Sequence, residues 1–301
     1  MNVSARDSHL LVHRILLLSL KIETGRIALR GIGMKNSLYI WDCHVLFAAW
    51  EETSAMHSLY AASILISVEK PARLFLPSEP AIEFTGVFIP PNRMYREMAK
   101  QTHVLNLNID PDSLLFERIA GSLNAGIQVF DSSRIPNLSE IVMKAMSEDT
   151  TDAEAFIILQ NLVNTIFGSI LPYKESKALD NRVMTVVNHL HSLAHIPHPQ
   201  EIKLGHLAKL VNLSEDRFRH LFKETLFISV RKYLLNLRLK VAAKNMPRCS
   251  NLTEAAHIAG FSDSAHFSRT FRATYGHRPS VVFRKSKRTR IRSIDESLTG
   301  I

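Results

Sequence analysis

Residues 260–279 read GFSDSAHFSRTFRATYGHRP, with arginines and histidines set among phenylalanines and small polar residues. Three chemistries use such a mixture: a loop that cradles phosphate, a metal site, and a helix laid against a polyanion. The first fails because the chain has no GxxxxGK[ST], whose backbone N–H groups and lysine would hold the phosphates. The second fails because His266 and His277 stand too far apart along a helix to form a ligand pair. The third survives. Phe267 and Phe271 point inward, one turn apart, while Ser264, Ala265, Ser268, Arg269 and Arg272 fall on the other face. Guanidinium groups on such a face can clamp phosphate or bond guanine with two parallel hydrogen bonds.

Other chemistry is sparse. The chain has neither HExxH nor GxSxG, and GIG at 31–33 lacks the third glycine of a dinucleotide loop. Cys43 and Cys249 are the only cysteines, which form no disulfide framework or zinc quartet and point to a reducing interior. His191 and His195, at i and i+4, have ligand spacing but read as a surface helix pair. Residues 177–301 hold 22 Lys and Arg against 9 Asp and Glu, net +13, whereas residues 1–176 hold 15 against 19, net −4. The halves therefore face different partners, and nucleic acid is the commonest polyanion for a basic one. The apolar run ILLLSL at 15–20 is far short of the ~20 residues that span a bilayer, and no small-x-small cleavage site follows it. It reads as a core strand or helix, with no membrane partner and a cytoplasmic location; Met34 is an alternative start.

The elements that must position these residues differ between the halves. Residues 38–110 favour strands: SLYIWDCHVLFAAW, ASILISV, ARLFLPS, FTGVFIP and THVLNLNI are short, rich in β-branched and aromatic residues, and divided by Pro, Asn, Glu and Lys. From 112 the pattern turns helical. In DAEAFIILQNLVNTIFGSIL, Phe156, Leu159, Leu162, Val163, Ile166, Phe167 and Ile170 make a wide stripe that serves partly the home core and partly a dimer seam. PYKESKALD at 172–180 reads as a linker, and nearly everything beyond it is helical.

The basic half contains a repeat. LAKLVNLS (207–214) aligns with AAHIAGFS (255–262), and FRHLFK (218–223) with FSRTFR (267–272). Each copy predicts a short helix, a turn and a second helix capped by Ser or Asp. Ala208 and Ala256 let the helices approach, and Asn212 and Gly260 suit a turn with positive φ. The copies are joined by a predicted helix over 229–246, about 27 Å long at ~1.5 Å per residue. That length suits two reading heads near the ~34 Å spacing of successive major-groove segments.

With LAKLVNLSEDRFRHLFKE, YLLNLRLKVAAKNM and AAHIAGFSDSAHFSRTFRATYGHRPSVVFR on the page, residues 180–285 resemble the AraC/XylS family of transcription regulators. Gly260, Phe261, Phe267, Arg269, Phe271, Gly276, Pro279 and Arg284 match that family's final motif. The resemblance implies double-stranded DNA as partner, RNA polymerase as a second one, and an activator. It places Asp216, Arg217, Arg219 and His220 of copy one and Ser264, Ala265, Ser268 and Arg269 of copy two at the DNA, with Lys223, Arg272 and Arg278 clamping the backbone. Phe227 departs from the pattern, because family members have Gly there to take a left-handed C-cap.

The acidic half resembles the family's sensor, a cupin-like β-barrel, by layout. Metal-binding cupins present HxH and a later His; here the first reads His57-Ser58-Leu59 and the later slot is Tyr95. This argues against a metal-dependent cupin enzyme tethered to DNA, the alternative reading, and implies no metal or other cofactor. The expected fold class is α+β: a cupin-like barrel with trailing helices over 1–171 (1–33 an extension), the linker, an all-α domain of two helix-turn-helix motifs on a long helix over 181–286, and a mobile basic tail over 287–301. A homodimer formed through the N-terminal half and a small-molecule effector complete the expectation.

Overall fold

The computed structural model describes residues 35–171, 179–194, 202–283 and 289–294. The expectations for the 1–33 extension, for most of the linker, for His195 and for residues 284–288 lie outside these residues.

Alternating and continuous apolar runs form the strands of the expected region: β1 Asn36–Ile40, β2 His44–Thr53, β3 Ala62–Ser67, β4 Ala72–Phe75, β5 Ile82–Phe84, β6 Gly86–Ile89 and β7 Arg96–Ile109; a further strand, β8 Gln128–Phe130, lies in the stretch expected to be helical. They join in one sheet in the order β8-β6-β3-β7-β2-β1, with β4 paired to both β5 and the start of β7. Period-two alternation on β7 divides the sheet's faces. Leu105, Leu107 and Ile109 enter the core beneath the helices, whereas Val104 joins the cluster enclosed by β4–β6. Asn106, on the same side as Val104, lines a cavity.

Helices α1 Leu114–Ala120, α2 Leu138–Met146 and α3 Asp152–Thr165 cover the first face. The α3 stripe does not divide between core and seam. Its apolar residues from Phe156 to Ile170 all belong to the home core, and the outward side carries Asn161 and Asn164 with only Ile157 half-exposed among them. The Asp152–Ile170 stretch is long and apolar enough to cross a membrane by composition, but its buried side is occupied by the sheet.

The tail expectation is corrected in part. Residues Thr289–Ser293 form β9, parallel to β1 with Leu38 opposite Ile291. β1 is otherwise an edge with unpaired backbone groups, and an extended segment that supplies them is held rather than mobile. The strand's arginines are engaged: Arg290 donates to Ser37 Oγ at 2.9 Å, and Arg292 lies 3.2 Å from Asp152.

The basic half comprises α4 Asn181–Ala194, α5 Leu204–Leu210, α6 Glu215–Leu226, α7 Val230–Asn245, α8 Leu252–Ile258, α9 Ser264–Tyr275 and α10 Pro279–Phe283. α5–α6 and α8–α9 are the two copies, and α7 connects them. α7 is apolar on more than one side because it serves two cores. Val230, Tyr233 and Leu237 pack with the first copy, and Leu239 and Ala242 with the second.

Candidate nucleic-acid interface

Both copies are built by the same local devices. Asn212 (φ 55°) and Gly260 (φ 76°) make the turns in the left-handed region. Ser214 then accepts from the Arg217 N–H, and Asp263 from the His266 N–H, capping α6 and α9. Ala208 and Ala256 are buried where the paired helices meet, and Phe218, Leu221, Phe222, Phe267 and Phe271 are buried as well. Core packing thus turns the remaining faces of α6 and α9 outward.

On α6 the residues Asp216, Arg217, Arg219, His220 and Lys223 are exposed. On and after α9, Ala265, Arg269, Arg272 and Arg278 are exposed, while Ser264 and Ser268 are half-buried. The two faces differ in charge state. Arg219 donates to Asp216 at 2.9 Å and to Glu215 at 3.5 Å, so its guanidinium is engaged by its own helix. The charge of Arg269 acts on the capping Asp263, whose carboxyl is held below its usual range first by the His266 backbone N–H.

The helix exits differ too. Gly276 ends α9 with φ 75°, and Phe227 ends α6 with φ 57°. A left-handed non-glycine residue costs about 1–2 kcal/mol. The structure shows what holds Phe227 there: Asn92 Nδ2 donates to its carbonyl at 2.9 Å, and its ring faces Phe116 at 6.1 Å. Both anchors belong to the acidic half.

Besides the anchors of Phe227, the two halves are fastened at three further places among the described residues, the last of them around Gly276 and His277. First, Tyr60 and Ala61 enter the core of the first copy. Second, a buried polar knot grips the connector. Lys240 donates to Asp110 and to the Asp42 carbonyl, Lys244 to Asp42, and Tyr233 to Asp112. His191 lies 2.9 Å from both Asp112 and the Tyr233 hydroxyl, which replaces the expected surface role of the His191–His195 pair. Burial pushes the Asp110 carboxyl up to about 6 even with Lys240 opposing it. Against the same burial, the His191 hydrogen bond and the charges of His191 and Lys240 hold Asp112 down at about 2. Third, the end of α9 docks on the loop after β2. The Ala55 N–H donates to the Gly276 carbonyl at 2.9 Å and the Ser58 N–H to Ala273 at 3.2 Å. A Cβ on Gly276 would come within 2.7 Å of Ser54 Cβ and 2.8 Å of His57 Nδ1, so only glycine permits this approach.

His57 and Tyr95, named from the cupin layout, do meet: their backbones form a bridge and their rings lie 4.3 Å apart. His57 Nδ1–H donates to the Ala55 carbonyl at 2.9 Å, and burial lowers the imidazole to about 4, so it is neutral. Sequence reasoning missed a cluster beside it. Ligand atoms of Glu52, Glu97 and His277 lie within 4.8 Å of one another, as do those of Cys43, Asp112 and His191. A β-bulge between Trp50 and Glu52, with Glu51 at φ 62°, interrupts β2 immediately before Glu52. No spacing rule links positions 52, 97 and 277; only a lone His next to a motif glycine hinted at it.

A cavity of about 350 Å³ lies between the halves. Leu38, Val45 and Phe47 line it from the sheet, and Lys240, Phe271 and His277 from the basic half.

A family model described as a helix-turn-helix domain matches residues 207–285. The probable transcriptional regulator LumQ of Photobacterium leiognathi is 26% identical over 218 residues, 67% of this chain and 84% of the relative. The Msm operon regulatory protein of Streptococcus mutans is 24% identical over 181 residues, 59% and 63% of the two chains. Among solved structures, an apo single-residue variant of ToxT from Vibrio cholerae matches with a TM-score of 0.54 and 15% identity over 79% of this chain and 96% of that one. Wild-type ToxT with an unsaturated fatty acid bound matches with a TM-score of 0.51 and 16% identity, over 80% and 94%. The α+β architecture, a cupin-like β half followed by a helix-turn-helix half, is shared with these structures.

Proposed function

We propose that this chain, a DNA-binding transcriptional regulator of the AraC type, reads two adjacent major-groove segments per protomer and lets the state of its acidic half decide how the two reading helices are held. The observation that carries this reading is the duplication itself. Two motifs with the same turn, cap and core geometry hang on one 16-residue connector, about 24 Å long at ~1.5 Å per residue. Their outward faces are exposed, while the acidic half grips their other sides.

In this reading Arg269 bonds a guanine edge, Ser264, Ala265 and Ser268 shape the same contact, and Asp216, Arg217, Arg219 and His220 serve the first segment. Lys223, Arg272 and Arg278 hold phosphates. Base-directed arginines add sequence discrimination, and phosphate contacts add salt-dependent affinity. The regulator acts as a cytoplasmic activator that contacts RNA polymerase and dimerises through its acidic half. The cavity between the halves takes a small-molecule effector, because its walls come from both and an occupant would bear on the connector and on α9 together.

Selection of bound duplexes from a random pool, followed by footprinting, tests the reading. A site with two protected groove segments one helical turn apart for each protomer supports it. Protection of one segment, or none with sequence preference, defeats it.

A further inference from the structure

We propose that the cavity between the halves binds a hydrophobic organic monocation, an alkyl- or arylalkyl-ammonium, with its charged head on Glu97 and Glu52. The inference rests on the regulator reading only in calling this occupant an effector; the site stands on its own geometry.

Among the described residues, Glu52, Glu97, His277 and Lys240 are the acidic and basic groups lining the cavity, apart from the neutral His57. Lys240 is already neutralised by Asp110, with its remaining reach spent on the Asp42 carbonyl. His277 Nε2 lies 2.6 Å from Glu52 Oε1, and this contact raises its affinity for a proton against the effect of burial. One imidazolium therefore serves two carboxylates. Glu97, 4% exposed, receives only the Ser54 hydroxyl at 2.5 Å as a side-chain donor among the described residues. Burial, and then the neighbouring Glu52, push its carboxyl up to about 7. The chain alone answers the missing positive charge by protonation; a bound cation would answer it directly.

Asn106 Oδ1 is buried without a hydrogen-bond partner, and Asn106 lines the cavity. His57 spends its one N–H on the Ala55 carbonyl, which leaves Nε2 as an acceptor. The polar groups without internal partners thus ask for N–H donors. Among the described residues, both cations lining the cavity are already committed against a carboxylate occupant.

Leu38, Ile40, Val45, Phe47, Phe271 and Val282 also line the cavity, and about 350 Å³ is within the range of small-ligand pockets. A bare metal ion would have no use for those walls. An ammonium with an apolar body fills both regions, and its head competes with His277 for Glu52. His277 follows Gly276, the residue that docks α9 on the acidic half, so the occupant acts where the second reading helix is fastened.

Calorimetric titration of the full chain with n-octylammonium, n-octanoate and n-octanol tests the site. The expected result is saturable binding of octylammonium, at least tenfold tighter than either control. Glu97→Gln should weaken it at least tenfold without changing the far-ultraviolet circular dichroism. Asn106→Leu, which spares the charge, should weaken it severalfold and serves as the second variant if Glu97→Gln misfolds. Octanoate binding as well as octylammonium, no binding of any probe, or Mn²⁺ or Zn²⁺ taking the Glu97 site while octylammonium finds none, each overturns the proposal. Random-pool footprinting without any probe reports separately on the regulator reading. Specific DNA protection with no amine site sinks only this inference, and an amine site with no specific protection sinks only that reading.

Discussion

The two helix-turn-helix copies share turn, cap and core, yet they are fastened to the acidic half in opposite ways. The first copy ends in Phe227, a residue forced into the left-handed region and held there by Asn92 and Phe116. The second ends in Gly276, relaxed in that region and pressed against Ser54, Ala55 and His57. The first therefore relies on side chains to hold a strained backbone, the second on a backbone that only glycine allows to come close. Their outward faces diverge likewise: Arg219 is tied to Asp216 and Glu215 on its own helix, whereas exposed Arg269 acts on the capping Asp263 through its charge. The same local motif can thus be fastened to the acidic half through different chemistry, and the difference lies in the exits rather than in the turns.

The largest expected effect tests what the copies share. Lys240 sits on the connector between them, and Lys240→Met leaves Asp110 buried and unpaired, a change that typically costs about 3–5 kcal/mol. Urea denaturation should show that loss near pH 8 and a smaller one near pH 5, where the Asp110 carboxyl, already raised, takes up a proton. An equal loss at both pH values would show that packing of the lysine stem, not the ion pair, fastens the connector.

Next in size is the exit of the second copy. Gly276→Ala combines a left-handed penalty with overlap against Ser54 and His57, together about 2–3 kcal/mol. Amide hydrogen exchange at Ala55 and Ser58 should accelerate while Asn92 is unaffected. Protection unchanged at Ala55 would mean that the dock does not depend on this close approach.

The reading faces come third. Arg269→Ala should relax preference at one base position by ~1–3 kcal/mol in competition binding. Arg219→Ala should change preference less, because its guanidinium must first leave Asp216 and Glu215. A uniform loss on all sequences after Arg269→Ala, with a shallower salt dependence, would make Arg269 a phosphate contact instead.

The smallest effect closes the comparison. Phe227→Gly removes ~1 kcal/mol of backbone strain but also the ring contact with Phe116, so stability should rise by less than about 1 kcal/mol in thermal melts. A clear loss would show that the aromatic contact outweighs the strain.

The helical half was legible because its signals are local. Asn212 and Gly260 announced turns, Ser214 and Asp263 announced caps, and phenylalanines one turn apart announced the buried faces; each depends on neighbours within about a turn of chain. The strands were legible for the same reason. The docked β9 was not, because RKSKRTRIRS has the composition of a solvated tail and its partner β1 lies far back in the sequence. Nor were the pairings of Asp110 with Lys240 or of Glu52 and Glu97 with His277. The amino-acid order by itself determined two helix-turn-helix motifs, their connector and a β half to carry them, since hydrogen bonding and side-chain periodicity act over a few residues. Only the tertiary structure decided which carboxylates lost their water and which cations they met, since desolvation is a property of the surroundings that folding brings together.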